Sequence, residues 1–241
     1  MRASGRILRK VLDAVAAAVA PGVATLDLEK VAEKTLTELG GQPAFRGVKK
    51  FGAPDYAHVL CTSVNEEIVH GIPSPNRILR SGDIVSVDCG VVLDGYYSDS
   101  AITVPVGEVT PEVQKLLDVT RRSLAAAIEQ ARPGNTTGDI GAAVQALVEE
   151  SGFSVVRDLC GHGIGRSLHE DPQVPNYGLP GKGVRLREGM VLALEPMVNI
   201  GGPHLVERDD HWTAATRDGS FSAHFEHTVA VTKDGPVVLT A

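Results

Sequence analysis

One architectural plan is written twice in this chain. Arg9-Lys10-Val11-Leu12 resembles Arg121-Arg122-Ser123-Leu124, and each opens an Ala-rich helical stretch that closes on Pro-Gly, at Pro21-Gly22 and Pro133-Gly134. Thr25-Leu26-Asp27-Leu28 then matches Thr137-Gly138-Asp139-Ile140 at the same offset. Thr25 and Thr137 read as N-caps, with Asp27 and Asp139 in the first turn, where the helix dipole favours negative charge. Gly40 and Gly152 read as the stops of these second helices. The likeness continues into strands: LRSGDIVSVD (Leu79–Asp88) resembles LREGMVLALE (Leu186–Glu195), and DSAITV from Asp99 resembles EHTVAV from Glu226. Asp88 thus corresponds to Glu195, and Asp99 to Glu226. The expected fold is a single α+β domain of two pseudo-two-fold halves, about residues 1–110 and 111–241. Each half covers the outer face of a central, curved, mostly antiparallel sheet with two helices.

The first strand pair of this plan is the most sharply defined. Ile84–Leu93 is rich in Val and Ile, which suits a half-buried strand. Asp94-Gly95 tolerates positive φ, so a two-residue hairpin fits, followed by a strand from Tyr96 to about Val104. With that turn Leu93 faces Tyr96 and Gly90 faces Asp99, so Asp88 and Asp99 are diagonal neighbours on one face, roughly 7–8 Å apart. Like charges that close raise a carboxyl pKa unless a cation sits between them. If the second half brings Glu195 and Glu226 to the same centre, four carboxylates converge, and roughly two divalent cations about 3.5–4 Å apart would balance them.

Bulk composition narrows the classes. The chain has 241 residues, 43% of them hydrophobic, and a net charge of −7 with a pI near 5.6. It is long enough to bury a full core. With no dense basic stripe, nucleic acid is not expected as the primary ligand, and no apolar run has the length to span a bilayer. Cys61, Cys89 and Cys160 are an odd number without metal-ligand spacing, which suits free thiols in a reducing, cytoplasmic setting. The basic N-terminus before VLDAVAAAVAPGVA mimics a signal peptide. Asp13 interrupts its apolar run, however, and Leu8, Val11, Leu12, Val15 and Val19 share one helical face, so a helix ending at Pro21-Gly22 is the preferred reading.

Histidines and glycines add to the acids. HGIGRSLH spans His162 to His169, and VHGIP carries His70. Glycines beside a histidine let backbone approach a ligand, and an imidazole among carboxylates can ligate a metal or act from just outside it. GHGIG is a poor phosphate loop, because no P-loop lysine follows. His58, His204, His211 and His224 read as structural or surface residues, and His227, beside Glu226, points to the opposite face by strand alternation.

Taken together, CTSVNEEIVHGIP (Cys61–Pro73), VDCGVVLDGYYSDSAIT (Val87–Thr103), GHGIGRSLHEDP (Gly161–Pro172), ALEPM (Ala193–Met197) and FEHTVAVT (Phe225–Thr232) resemble type I methionine aminopeptidases of the pita-bread metallopeptidase fold. The resemblance runs over nearly the whole chain. It implies two divalent ions (Co, Mn, Fe or Zn), with Asp88 chelating one, Asp99 and Glu226 bridging, and His162 and Glu195 on the other. It also implies catalytic roles for His70, His169 and Glu195. Glu195 would shuttle a proton from a water shared by the metals, and His169 would donate to the scissile carbonyl oxygen. His70 would contact the peptide and help the amine leave, and the substrate's free amine would sit at the metal of Asp88.

A methionine pocket of Cys61, Tyr56, Leu168 and Trp212 follows from the same likeness. Leu168 stands where an aromatic is common, His224 where glutamine is usual, and Phe51–Leu60 departs from the family's Tyr- and Pro-bearing loop. The implied activity is removal of initiator methionine from peptides and nascent chains with a small second residue. The implied enzyme is a minimal, bacterial-style cytoplasmic monomer that meets the ribosome and lacks the zinc-binding extension of some relatives. A proline-directed aminopeptidase or prolidase of the same fold, and a non-catalytic binding homologue, are the alternatives.

Overall fold

The computed structural model describes residues 1–241, and its elements form two runs of similar make-up. The first is α1 (Arg2–Ala18), α2 (Thr25–Glu38), β1 (Gln42–Pro43), β2 (Leu60–Val64), β3 (Glu67–Val69), β4 (Ile84–Leu93) and β5 (Tyr96–Pro105). The second opens with α3 (Pro111–Gln130) and α4 (Thr137–Glu150). It continues with β6 (Ser154–Val155), β7 (Cys160–Gly163), β8 (Glu170–Pro175), β9 (Val191–Leu194) and β10 (Met197–Asn199). It closes with β11 (Leu205–Glu207), β12 (Ala214–Thr216), β13 (Ser222–His224), β14 (His227–Thr232) and β15 (Gly235–Val238). No helix is long and apolar enough to cross a membrane.

The helix pairs form for matching reasons. α1 buries Leu8, Val11, Leu12 and Val15 at i, i+3, i+4 and i+7 spacing, and Val19 falls just past its end as the C-cap. The turns that follow α1 and α3 use Gly22 at φ 91° and Gly134 at φ 95°. The same hydrogen bonds close both. Gly22 N–H donates to Leu79 O and Gly134 N–H to Leu186 O, while Leu79 N–H donates to Val23 O and Leu186 N–H to Asn135 O. α2 and α4 both stop ahead of a left-handed glycine, Gly40 at φ 73° and Gly152 at φ 85°.

The N-caps lie one residue earlier than the sequence indicates. Ala24 caps α2, and Thr136 caps α4 in a reciprocal capping box with Asp139. Thr25 and Thr137 are the first residues of their helices, and their hydroxyls accept from Ser74 N–H and Val184 N–H. Each tethers its helix to the loop ahead of the strand beneath, a tertiary use that local pattern does not reveal.

β4 and β5 form the expected hairpin, with Asp94 at φ 52° and Gly95 at φ 74°. Leu93 pairs with Tyr96, Gly90 with Asp99, and Asp88 with Ala101. β2 and β1 pair with the other edge of β4. The second half builds an antiparallel sheet in the order β15-β14-β9-β7-β8. Two three-stranded sheets, β13-β10-β6 and β11-β12-β3, complete the curved surface. This is the pita-bread arrangement.

The two halves join through β3 against β12 and, at the centre, where β5 meets the start of β14. Glu226 N–H donates to Ala101 O at 2.9 Å, and Ala101 N–H returns to Glu226 O at 3.4 Å. Thr228 Oγ1 accepts from Asp99 N–H at 2.9 Å and donates to Asp99 O at 2.7 Å, and Ser100 Oγ donates to Glu226 O at 2.6 Å. One apolar core lies under α1 and α2, centred on Leu8, Leu12, Leu28 and Leu60. Another lies under α3 and α4, centred on Leu116, Leu117, Ile140 and Leu192. Each fully buried leucine contributes about 2–3 kcal/mol of transfer free energy, so each helix pair is held to its own sheet.

Candidate active site

The join carries the acids. Asp99 sits on β5 opposite Gly90, and Asp88 is its diagonal neighbour on β4. Glu226 immediately precedes β14, and Glu195 immediately follows β9, whose Leu194 pairs with His227. His162 on β7 pairs with Ala193 of β9. All five line a single cavity of about 420 Å³. Ligand atoms of Asp99, His162 and Glu226 lie within 4.8 Å of one another, and His162 Nε2 is 3.6 Å from Glu195 Oε1.

The protein leaves these groups electrostatically unresolved. Asp88 Oδ1, Asp99 Oδ1 and Glu226 Oε1 are enclosed and lack a hydrogen-bond partner, an arrangement that costs about 1–3 kcal/mol per group. Burial pushes the Asp88 carboxyl up to about 7. Burial, followed by repulsion from neighbouring carboxylates, pushes Asp99, Glu195 and Glu226 well above the usual range. His162 Nδ1 is 2.8 Å from Gly163 O. A carbonyl only accepts, so Nδ1 carries the proton and the Nε2 lone pair faces the acids. Burial holds this imidazole neutral, with a pKa lowered to about 4. Asp99, His162 and Glu226 bring ligand atoms to one point that fits a divalent cation, with Glu195 beside His162 and Asp88 diagonal to Asp99, and no Lys or Arg pairs with any of the four acids.

Two further histidines flank the acids. His70 follows β3 at φ 62°, a left-handed conformation uncommon outside glycine. Burial lowers its pKa to about 4. Gly71 presses on β2 so closely that a Cβ would stand 2.2 Å from Thr62 O. His169 is exposed, and its ring meets that of His162 edge-on at 4.3 Å. Its short loop is fixed by Glu170 Oε1, which accepts from Arg166 N–H and Ser167 N–H.

Tyr56, Cys61, Leu168 and Trp212 line the same cavity. Tyr56 meets Trp212 edge-on at 5.0 Å, and Trp212 Nε1 donates to Pro54 O at 3.0 Å. Burial keeps the Tyr56 phenol protonated, and it donates to Leu60 O at 2.8 Å.

Sequence reasoning did not single out Phe45, Val48, Lys50, Leu205 or Glu207, which also line the cavity. Lys50 Nζ bridges the mouth to Glu207 Oε2 at 2.5 Å, and only proximity to Tyr56 in the chain signals its place. His224 is only 2% exposed, with Nε2 3.8 Å from Glu226 Oε2, so it lies just behind the acids. His227 faces away, toward Thr240 Oγ1 at 2.9 Å. His58 leans on Glu29 at 3.5 Å, and His211 on Glu207 at 3.7 Å.

Fold and site together define a metal-dependent peptidase. The family description of metallopeptidase family M24 matches residues 1–233, and the chain belongs to that family, whose members use divalent metal. Within the family the chain stands among the methionine aminopeptidases. It is 47% identical to the methionine aminopeptidase of Clostridium acetobutylicum over 100% of this chain and 94% of that protein. The crystal structure of methionine aminopeptidase from Thermotoga maritima superposes with a TM-score of 0.96 at 46% identity, covering 100% of this chain and 94% of that one. The prolidase of Pyrococcus horikoshii, at 23% identity and a TM-score of 0.79, shares the fold and is covered over only 60% of its length.

Proposed function

We propose that this chain removes the initiator methionine from proteins whose second residue is small. The observation that carries the reading is the meeting, in one cavity, of the acid–imidazole cluster with an apolar pocket walled by Tyr56, Cys61, Leu168 and Trp212. Asp88, Asp99, His162, Glu195 and Glu226 would hold two divalent ions. The oxygen-rich set with one imidazole suits Mn²⁺, Fe²⁺ or Co²⁺ at least as well as Zn²⁺. Such ions, when bound, acidify water and polarise a carbonyl.

The remaining tasks fall to side chains. Glu195 takes the proton from the attacking water and returns it to the departing amine. His169, at the mouth beside His162, donates a hydrogen bond to the carbonyl oxygen as negative charge develops there. His70 is neutral, contacts the peptide next to the scissile bond and assists the amine. The apolar walls receive the methionine side chain. The free amine rests beside Asp88, which accounts for removal of the terminal residue alone. Nascent chains are the substrates, met by a monomer close to the ribosome in the cytoplasm, and the three unpaired thiols suit a reducing compartment.

The test uses chelator-treated protein reloaded with Mn²⁺, Fe²⁺, Co²⁺ or Zn²⁺. Release of methionine from Met-Ala-Ser, with much less from Met-Lys-Ser and none from an Xaa-Pro dipeptide, is the expected result. No metal-dependent release with any ion overturns the reading.

A further inference from the structure

Away from the acid cluster, helix α2 buries a carboxylate that bears on the pocket. Glu29 is 5% exposed. Its Oε1 accepts Val59 N–H at 2.7 Å, and its Oε2 accepts Leu60 N–H at 2.9 Å. His58 Nδ1 lies 3.5 Å and the Arg46 guanidinium 4.0 Å from Oε1. Both oxygens are therefore committed to the backbone at the point where the chain enters β2.

That point supports two pocket walls. Leu60 is gripped from both sides, its N–H by Glu29 and its carbonyl by Tyr56 Oη at 2.8 Å. Tyr56 Oη is also 3.3 Å from Gly71 O, the carbonyl next to His70. The Tyr56 ring then meets Trp212 edge-on at 5.0 Å. Cys61, the next residue, pairs with Asp88 across the sheet. A carboxylate accepting two adjacent backbone N–H groups fixes both the position and the twist of the segment, since charged acceptors form the short, directional bonds.

We propose that Glu29 is a positioning residue for the methionine pocket: by clamping Val59 and Leu60 from α2 it sets where Tyr56 and Cys61 stand against Trp212. The inference rests on the pocket reading of the preceding section. Glu29→Gln keeps the shape but turns one oxygen into a donor aimed at a donor, so the segment must shift. Glu29→Asp keeps two acceptors on a shorter stem.

The chain contains a single tryptophan, so emission from Trp212 reports directly on the pocket. The experiment measures four quantities on wild type and both variants. They are kcat and KM for Met-Ala-Ser, Mn²⁺ affinity by calorimetry, Trp212 emission, and quenching of that emission by L-methionine. For Glu29→Gln we expect KM to rise about tenfold, kcat to stay within about threefold, Mn²⁺ affinity to be unchanged and Trp212 emission to move to the red. Glu29→Asp should recover part of the KM.

A lowered Tm with KM, emission and L-methionine quenching all at wild-type values would overturn the proposal and leave Glu29 a support of the fold alone. If Glu29→Gln does not fold, Glu29→Ala, which removes both acceptors without adding a donor, decides, and wild-type KM and emission there overturn it equally. A wild-type protein that releases no methionine defeats the earlier reading instead, and L-methionine quenching of Trp212 then still tests the clamp.

Discussion

Stripping the metal at mildly alkaline pH should destabilise this protein by an amount the buried acids set. Carboxyls in an unfolded chain titrate near pH 4. In the fold, Asp88 is raised to about 7, and Asp99, Glu195 and Glu226 stand well above their usual range, chiefly through burial. The metal-free folded state thus binds more protons than the unfolded one, and its stability falls as pH rises. The buried histidines work in the opposite direction. His70, His162 and His227 are lowered by burial to about 4 and His224 to about 3. Their contribution is complete above the unfolded value near 6.5 and is lost as pH falls toward 4.

Above about pH 7.5 the unfolded histidines have also lost their protons, and the acids set the slope. One retained proton is worth about 1.4 kcal/mol per pH unit, so each proton the cluster keeps removes about 2 kcal/mol between pH 7.5 and 9. For a chain of this length that corresponds to a fall in Tm of about 4–8 °C. Calorimetry on chelator-treated protein at half-unit steps tests this, with Asp99→Asn expected to flatten the slope. Mn²⁺ at about a hundred times its Kd should restore about 2.7 kcal/mol at pH 8. It should also release protons, countable by titration in two buffers of different ionisation enthalpy. A metal-free Tm that is flat or rises from pH 7.5 to 9 refutes the reasoning.

Glu195→Ala should lower kcat for Met-Ala-Ser by about 10²-fold or more, with a far smaller change in KM, because it removes the proposed proton carrier, and a metal-holding oxygen with it, and leaves the apolar pocket intact. Turnover near wild type in steady-state assays would contradict that role. Gly71→Ala should reduce both Tm and turnover, the latter about tenfold or more, since the new Cβ would lie 2.2 Å from Thr62 O and must displace His70. Unfolding and hydrolysis measured on the same sample check it, and wild-type values for both would show that β2 yields at no cost.

The parts legible in the sequence are those written in local pattern. The Val- and Ile-rich run from Ile84 and the Asp94-Gly95 turn specify the hairpin and its register, because a left-handed two-residue turn leaves one arrangement. The apolar spacing of α1 specifies its buried face. What escaped depends on partners distant in the chain. The caps moved by one residue because Thr25 and Thr137 answer to Ser74 and Val184. Glu29 carries no motif and acquires its role only when Val59 and Leu60 arrive beside it. The placement of His224 behind Glu226 requires the strand after it to be docked against β5, which no residue within either strand announces. The acids were identifiable from paired motifs, whereas Lys50 and Glu207 at the mouth carry no motif.

The bonds between Asp99–Ala101 and Glu226–Thr228 have an implication for modularity. A polypeptide limited to the first half would own Asp88, Asp99 and His70 but neither Glu226 nor His162, and its β5 edge would lie open. On the proposed assignment the metal-holding set spans the seam, so neither lobe would carry it alone.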